Sequence, residues 1–363
     1  MSKVIAARRF ALMSSDKDAF SLVNKLIYPA AVRDRFGILN KLSPFDWSDK
    51  VDEIPTAFSE AVAIGSIMDE HMAEIMGEHR SGRIVIAWSG GVDSTALICA
   101  YLRSGAELDR LTVVCTEDSI EEYPFFFEMM KKQGVDIVIT DNVTDELQSI
   151  ECDLILTGWC ADQLFGSDVN TRDTSLYNKP WLDALQVYAL KQRRISLAPQ
   201  SLEVVEAVYS DYAKKLGFPV EQWCEFLWMM NFGCKWTYVQ NETNLSLVGS
   251  SNYGKVVAFY EDIKFQRWAV SRFPKLRLKN PHTCNVFYKK PLKQYILNYT
   301  GDQSYYWTKG KMATRVFQDD ELEFVNVLTD DGVKSYRVNS NRGCTGCAYQ
   351  AVANKFRKVK GEE

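Results

Sequence analysis

Ile84-Val85-Ile86-Ala87-Trp88-Ser89-Gly90-Gly91-Val92-Asp93-Ser94-Thr95, continuing at helical period to Arg103 and stopped by Gly105, reads as a buried strand, a tight glycine turn and a helix. The unit repeats downstream. Leu111-Thr112-Val113-Val114-Cys115 is a second apolar run, followed by helical spacing from Tyr123 to Gln133 and a stop at Gly134. Asp136-Ile137-Val138-Ile139-Thr140 and Asp153-Leu154-Ile155-Leu156-Thr157 come next. Short β-rich runs alternating with helices predict an α/β fold, a doubly wound parallel sheet whose ligands bind at the C-terminal ends of its strands.

The flanking segments are less regular. Pro55-Thr56 and the spacing of Phe58, Val62, Met68, Met72, Ile75 and Met76 predict a helix that ends before Ser81-Gly82. His71 and His79 lie on it. No cysteine or carboxylate cluster is spaced to join them, so both are expected to be packed or surface histidines rather than metal ligands. Residues 1–55, broken by Pro29, Pro44 and Pro55, show no period and are expected to form a leader packed on an α/β domain at 56–180. From Trp181 to about Asn298 the strand pattern is lost, which predicts a helical region over 181–300 that completes the site. The tail, 301–363, is expected to be α+β, with a hairpin formed by Leu322 to Leu328, an Asp330-Asp331-Gly332 turn and Val333 to Val338.

Composition bounds the class. The chain has 363 residues, 46% hydrophobic and 25% charged, enough for a sizeable core and about two domains. Forty-three Lys+Arg against 47 Asp+Glu leave a net charge of −4, so the chain as a whole is no polycation. No apolar run approaches the ~18 residues of a membrane span, and Met1 to Ser15 lack the apolar block of a secretory signal, so a cytoplasmic location is expected. Nine cysteines sit mostly in apolar segments, as reduced buried thiols would.

The glycine turn carries the chemistry. Gly90 and Gly91 let backbone N–H groups approach phosphate oxygens, the hydroxyls of Ser89, Ser94 and Thr95 add donors, and the helix end contributes roughly +0.5 of a charge. Asp93 suits such an anion cradle only with a divalent metal between it and the phosphates. No Lys follows the glycines, which excludes a Walker A loop, and the Gly-x-Gly-x-x-Gly dinucleotide spacing is also absent. The histidines lack a nucleophile elbow, so a Ser-His-Asp or Cys-His hydrolase is disfavoured.

The string Ser89-Gly90-Gly91-Val92-Asp93-Ser94 resembles the pyrophosphate loop of the N-type ATP pyrophosphatases, which include asparagine synthetase, β-lactam synthetase, GMP synthetase, NAD synthetase and 7-cyano-7-deazaguanine synthase. That resemblance implies a HUP-like PP-loop fold and cleavage of ATP between its α- and β-phosphates. AMP passes to a substrate oxygen and a nitrogen nucleophile then displaces it. It also implies that Val113, Val114 and Cys115 lie against adenine. Leu156-Thr157-Gly158-Trp159-Cys160-Ala161-Asp162-Gln163-Leu164-Phe165-Gly166 is similar to the asparagine synthetase segment Ser-Gly-Glu-Gly-Ala-Asp-Glu-Leu-Phe-Gly-Gly. Asp162 falls on its second metal-binding Asp, so Asp93 and Asp162 would hold Mg²⁺, with Trp159 and Gln163 standing where the family has Glu. Val257-Ala258-Phe259-Tyr260-Glu261-Asp262 and Tyr288-Lys289-Lys290-Pro291-Leu292-Lys293 resemble later family stretches and place Lys289 on a catalytic lysine, with Lys290 as the alternative.

The acceptor is therefore expected to be a small molecule with a carboxylate or carbonyl. The residues before the loop are not expected to hold the family's glutaminase half, so the nitrogen is expected from ammonia, an amine or a separate ammonia-supplying subunit. Two other readings stand beside this one. Nine Lys and Arg with no Asp or Glu between Lys264 and Lys293 suit RNA or DNA, as in a nucleobase-modifying enzyme; Trp159 and Gln163 suit an ATP-binding protein without turnover. Cys344-Thr345-Gly346-Cys347 has the spacing of half a zinc site, for which Cys284 and His282 are candidate partners, and 7-cyano-7-deazaguanine synthases resemble this arrangement.

Overall fold

The computed structural model describes residues 9–11, 23, 62–165, 174–193, 195–217, 220–236, 239, 243–244, 246–272, 289–309, 322–329 and 332–339. His282, Cys284, Cys344, Cys347 and nearly all of 1–55 lie outside the described residues. Strands are β1 (Arg9–Ala11), β2 (Ile84–Ala87), β3 (Leu111–Cys115), β4 (Asp136–Ile139), β5 (Leu154–Thr157), β6 (Ile195–Leu197), β7 (Val256–Ala258), β8 (Leu322–Thr329) and β9 (Gly332–Asn339). Five of them form one all-parallel sheet in the order β4-β3-β2-β5-β7. β1 pairs with β6 in parallel, and β8 with β9 antiparallel.

Burial explains why these runs became strands. β2, β3 and β5 are covered on both faces, so both sets of alternating side chains are mostly apolar, with Thr112 and Thr157 the buried exceptions. Ile84, Ile86, Leu111, Val113, Cys115, Leu154 and Leu156 point into the main core, while Val85, Val114 and Ile155 join a smaller cluster with Leu147, Leu247 and Val256. The sheet is doubly wound. β4, at its edge, is more exposed, and its Asp136 accepts from Thr112 Oγ1 at 2.8 Å and Arg83 Nη2 at 3.1 Å.

The helices are α1 (Ile64–Glu78), α2 (Val92–Arg103), α3 (Glu117–Glu122), α4 (Pro124–Gln133), α5 (Val143–Ser149), α6 (Ala161–Phe165), α7 (Trp181–Arg193), α8 (Pro199–Lys215), α9 (Trp223–Met230), α10 (Ile263–Arg272), α11 (Lys290–Thr300) and α12 (Gln303–Thr308). Ile64, Ile67, Met68, Met72 and Ile75 form the buried stripe of α1. Among the described residues no helix is long and apolar enough to cross a membrane.

Three sequence expectations are corrected. α1 starts at Ile64, since Ala63 is extended and breaks any continuous helix from Thr56; residues 56–61 lie outside the described residues. Tyr123 belongs to neither neighbouring helix: its non-helical backbone (φ −148°, ψ 70°) breaks α3 from α4, and Pro124 occupies the first turn of α4, where a missing N–H costs nothing. The region 181–298 is not purely helical, since β7 forms the fifth strand beside β5, with Ile155 opposite Val256 and Thr157 opposite Ala258. The sheet thus extends past position 180.

Candidate active site

In the order β4-β3-β2-β5-β7 the chain leaves β2 first toward β3 and later toward β5, so the topological switch lies between β2 and β5. Both segments that carry Asp residues begin there: Ser89–Asp93 after β2, and Gly158–Asp162 after β5. Gly158 is required by contact. A Cβ on it would lie 2.9 Å from Ser94 N and 3.1 Å from Asp93 C, so the chain after β5 runs directly against the start of α2.

Gly90 has φ +73°, and a Cβ there would meet the Ser119 carbonyl oxygen at 2.4 Å and Glu122 Cβ at 2.7 Å. The loop is braced by its own hydroxyls. Ser94 Oγ accepts from Ser89 N at 3.1 Å and lies 3.1 Å from Ser89 Oγ, and the Gly91 carbonyl receives Thr95 N as the first helical bond. Val92, Asp93 and Ser94 therefore place their N–H groups in the first turn, ahead of the intrahelical ladder. Thr95 differs from the expectation: fully buried, its hydroxyl accepts from Trp88 Nε1 at 3.0 Å and braces strand to helix from the core side. The Val114 and Cys115 carbonyls receive Trp88 N and Thr140 N, both at 2.9 Å, and the side chains of Val113, Val114 and Cys115 are all buried.

Asp93, Asp162 and Lys289, separated by up to 196 positions, converge. Lys289 Nζ lies 2.6 Å from Asp162 Oδ1 and donates to Asp93 Oδ2. Its side chain is 9% exposed. Burial opposes its charge, but the Asp162 and Asp93 carboxylates prevail and hold its pKa above the ordinary lysine value. Lys290, by contrast, is exposed. Supporting groups hold the backbone of each aspartate. The fully buried Tyr260, in the turn Phe259–Glu261 after β7, donates from its hydroxyl to the Asp93 carbonyl at 3.0 Å. Asn231, in a π-turn after α9, donates Nδ2 to the Asp162 carbonyl at 3.2 Å. Lys289 at φ 54° and Cys160 at φ 72° are the non-glycine residues with left-handed backbone among those described. Lys289 belongs to this cluster and Cys160 precedes Asp162 by two residues, each at a cost of about 1–3 kcal/mol.

Sequence reasoning missed Lys309, at the end of α12, and gave Lys293, on α11, no role beyond the basic stretch and the Lys289 motif. Lys309 Nζ donates to Glu122 Oε1, against the other side of the glycine loop. Lys293 Nζ donates to the Lys309 carbonyl at 2.5 Å. Burial, then the charges of Lys309 and Lys289, lower the Lys293 pKa from 10.5 to about 8. No local pattern marks Lys309; only the fold brings it to the loop. Trp159 is partly buried against the main core, and Gln163, 1% exposed, turns its amide toward Asn231.

Of the basic stretch, Lys275, Arg277 and Lys279 lie outside the described residues, and three of its described lysines are already engaged or buried. Lys264 binds Glu70 and Glu74, Lys289 binds the two aspartates, and Lys293 is buried. A scan of the chain against protein-family models finds no match, and neither does a search of the curated proteins.

Proposed function

We propose that the chain is an AMP-forming ATP-dependent ligase of the PP-loop, asparagine-synthetase-like kind, forming C–N bonds. The convergence of Asp93, Asp162 and Lys289 beside a glycine loop that opens α2, at the switch point of a parallel sheet, carries this reading. The donor set fits Mg²⁺: two carboxylates already share one cation, the Lys289 ammonium, and hard oxygen ligands few in number are what the ion takes alongside phosphates. Asp93 and Asp162 would hold it, and it would supply neutralisation of the triphosphate charge.

The chain's own residues then divide the work. The first-turn N–H groups of α2, with Ser89 and Ser94, bind the β- and γ-phosphates. Lys289 exchanges carboxylate oxygens for phosphate oxygens and meets the charge that grows on the departing pyrophosphate. Lys309 and Glu122 form a second, balanced pair on the opposite side, from which the ammonium can turn to the same anion. An acceptor carboxylate or carbonyl oxygen attacks the α-phosphorus, pyrophosphate leaves, and ammonia or another amine, free or supplied by a separate subunit, displaces AMP. A cytoplasmic setting agrees with this chemistry. Direct assay of the nucleotide products tests it: AMP and pyrophosphate are expected in equal amounts, and Asp93→Ala should abolish them. ADP and phosphate would refute the chemistry, and nucleotide binding without any product would favour a non-catalytic ATP-binding protein.

A further inference from the structure

We infer a second metal site, independent of the ATP chemistry, formed by His71, Glu74 and Asp262 and taking a first-row divalent ion of the zinc type. His71 and Glu74 lie at i and i+3 on one face of α1, and Asp262 immediately precedes α10. His71 Nδ1 is 3.6 Å from Glu74 Oε2 and 3.6 Å from Asp262 Oδ2, and one ligand atom from each residue lies within 4.8 Å of the others. Both His71 ring nitrogens are shut off from solvent with no hydrogen-bond partner among the described residues. The ring is walled by Phe259 and Phe265, with centroids at 5.0 and 5.8 Å.

The spacing decides between a proton and a metal. A hydrogen bond brings nitrogen and oxygen to about 2.7–3.2 Å, so one shared proton leaves both contacts long. Ligands about 2.1 Å from a tetrahedral ion stand about 3.4 Å apart, close to the 3.6 Å of both histidine contacts. Outer contacts already orient the carboxylates. Asp262 Oδ1 accepts from Lys264 N at 2.8 Å and Glu74 Oε1 from Lys264 Nζ at 2.5 Å, which leaves Oδ2 and Oε2 turned to the imidazole. Glu70, Glu74 and Asp262 against Lys264 leave two negative charges, which a divalent ion balances. The half-exposed Glu74 leaves a fourth position for water. An ion here ties α1 to the turn whose Tyr260 holds Asp93, which makes it a structural clamp.

The test uses the full chain, stripped with a chelator and carrying Cys344→Ser and Cys347→Ser so that those thiols cannot contribute. Zn²⁺ uptake is measured by equilibrium dialysis with elemental analysis, for this protein and for the same protein with His71→Gln or Asp262→Asn. The parent should bind one more equivalent than either variant, and its unfolding temperature should rise with Zn²⁺ where theirs do not. Equal stoichiometry in all three, or no uptake by the parent, overturns the site and leaves His71 a packing residue. Should a variant fail to fold, the Co²⁺ spectrum of the parent decides. The visible bands of a four-coordinate nitrogen–oxygen site support the inference, and bands of six-coordinate cobalt alone refute it.

Discussion

Lys289 and Lys290 are neighbours in sequence and opposites in environment: the first is held between two carboxylates, the second is exposed. Lys289→Ala should lower kcat by roughly 10²- to 10³-fold with little change in ATP affinity, because its charge is matched to the transition state. Lys290→Ala should do almost nothing, and steady-state kinetics with pyrophosphate detection reads the difference. Lys293 gives a pH test. Its pKa falls from 10.5 to about 8 on folding, so between those values the unfolded chain binds the extra proton and stability rises with pH. Below pH 8 both states are charged and the full cost of burying the ammonium persists. In urea titrations the parent should gain stability relative to Lys293→Met as pH climbs from 8 to 10.5; a constant difference would show that the buried ammonium carries no penalty. Gly90→Ala must both adopt φ +73° and displace the Ser119 carbonyl. It should cost about 1–3 kcal/mol more than Gly105→Ala, which has a similar φ but no atom within 4 Å of the added methyl.

At the scale of elements, the turn after β7 and the start of α2 are joined by the hydroxyl of Tyr260. Tyr260→Phe keeps the buried ring and removes that bond, the one that ties the Asp93 carbonyl to the turn after β7. A loss of about 1 kcal/mol in denaturant titration is expected, with a larger fractional loss of turnover, since Asp93 sits on the freed end. Unchanged turnover would show that β7 does not position the loop. Legibility in the sequence varied among these elements for physical reasons. β2, β3 and β5 announce themselves because burial on both faces demands nearly continuous apolar or β-branched runs. β7 does not: Val256-Val257-Ala258 is three residues long, too short for any periodicity. Asp93 was legible through the glycine loop it follows, and Asp162 and Lys289 only through a resemblance. Lys309 and the His71–Asp262 pairing carry no local signal, since each becomes adjacent to its partners only when helices pack.

For the whole molecule, the candidate site draws on the loop at 89–95, Glu122, Asp162, Tyr260, Lys289 and Lys309, and so spans much of the chain. A fragment of residues 56–180, the α/β unit as bounded from sequence, would keep β2 to β5 and both aspartates. It would lose β7 and with it the burial of Val256, Ala258, Phe259 and Tyr260. At about 1.5–3 kcal/mol for each large apolar side chain, that loss rivals the 5–15 kcal/mol of a typical domain's total stability. It would also turn β5, with Ile155 and Leu156 fully buried in the intact protein, into an unpaired sheet edge. The fragment should therefore show no cooperative thermal transition and no protection by Mg²⁺ and pyrophosphate, whereas the full chain should show both. The remaining carboxylates would face each other without the Lys289 ammonium, which adds repulsion to lost packing. A fragment that unfolds cooperatively and binds pyrophosphate as the full chain does would mean that β7 and the lysines decorate a self-sufficient site rather than complete it.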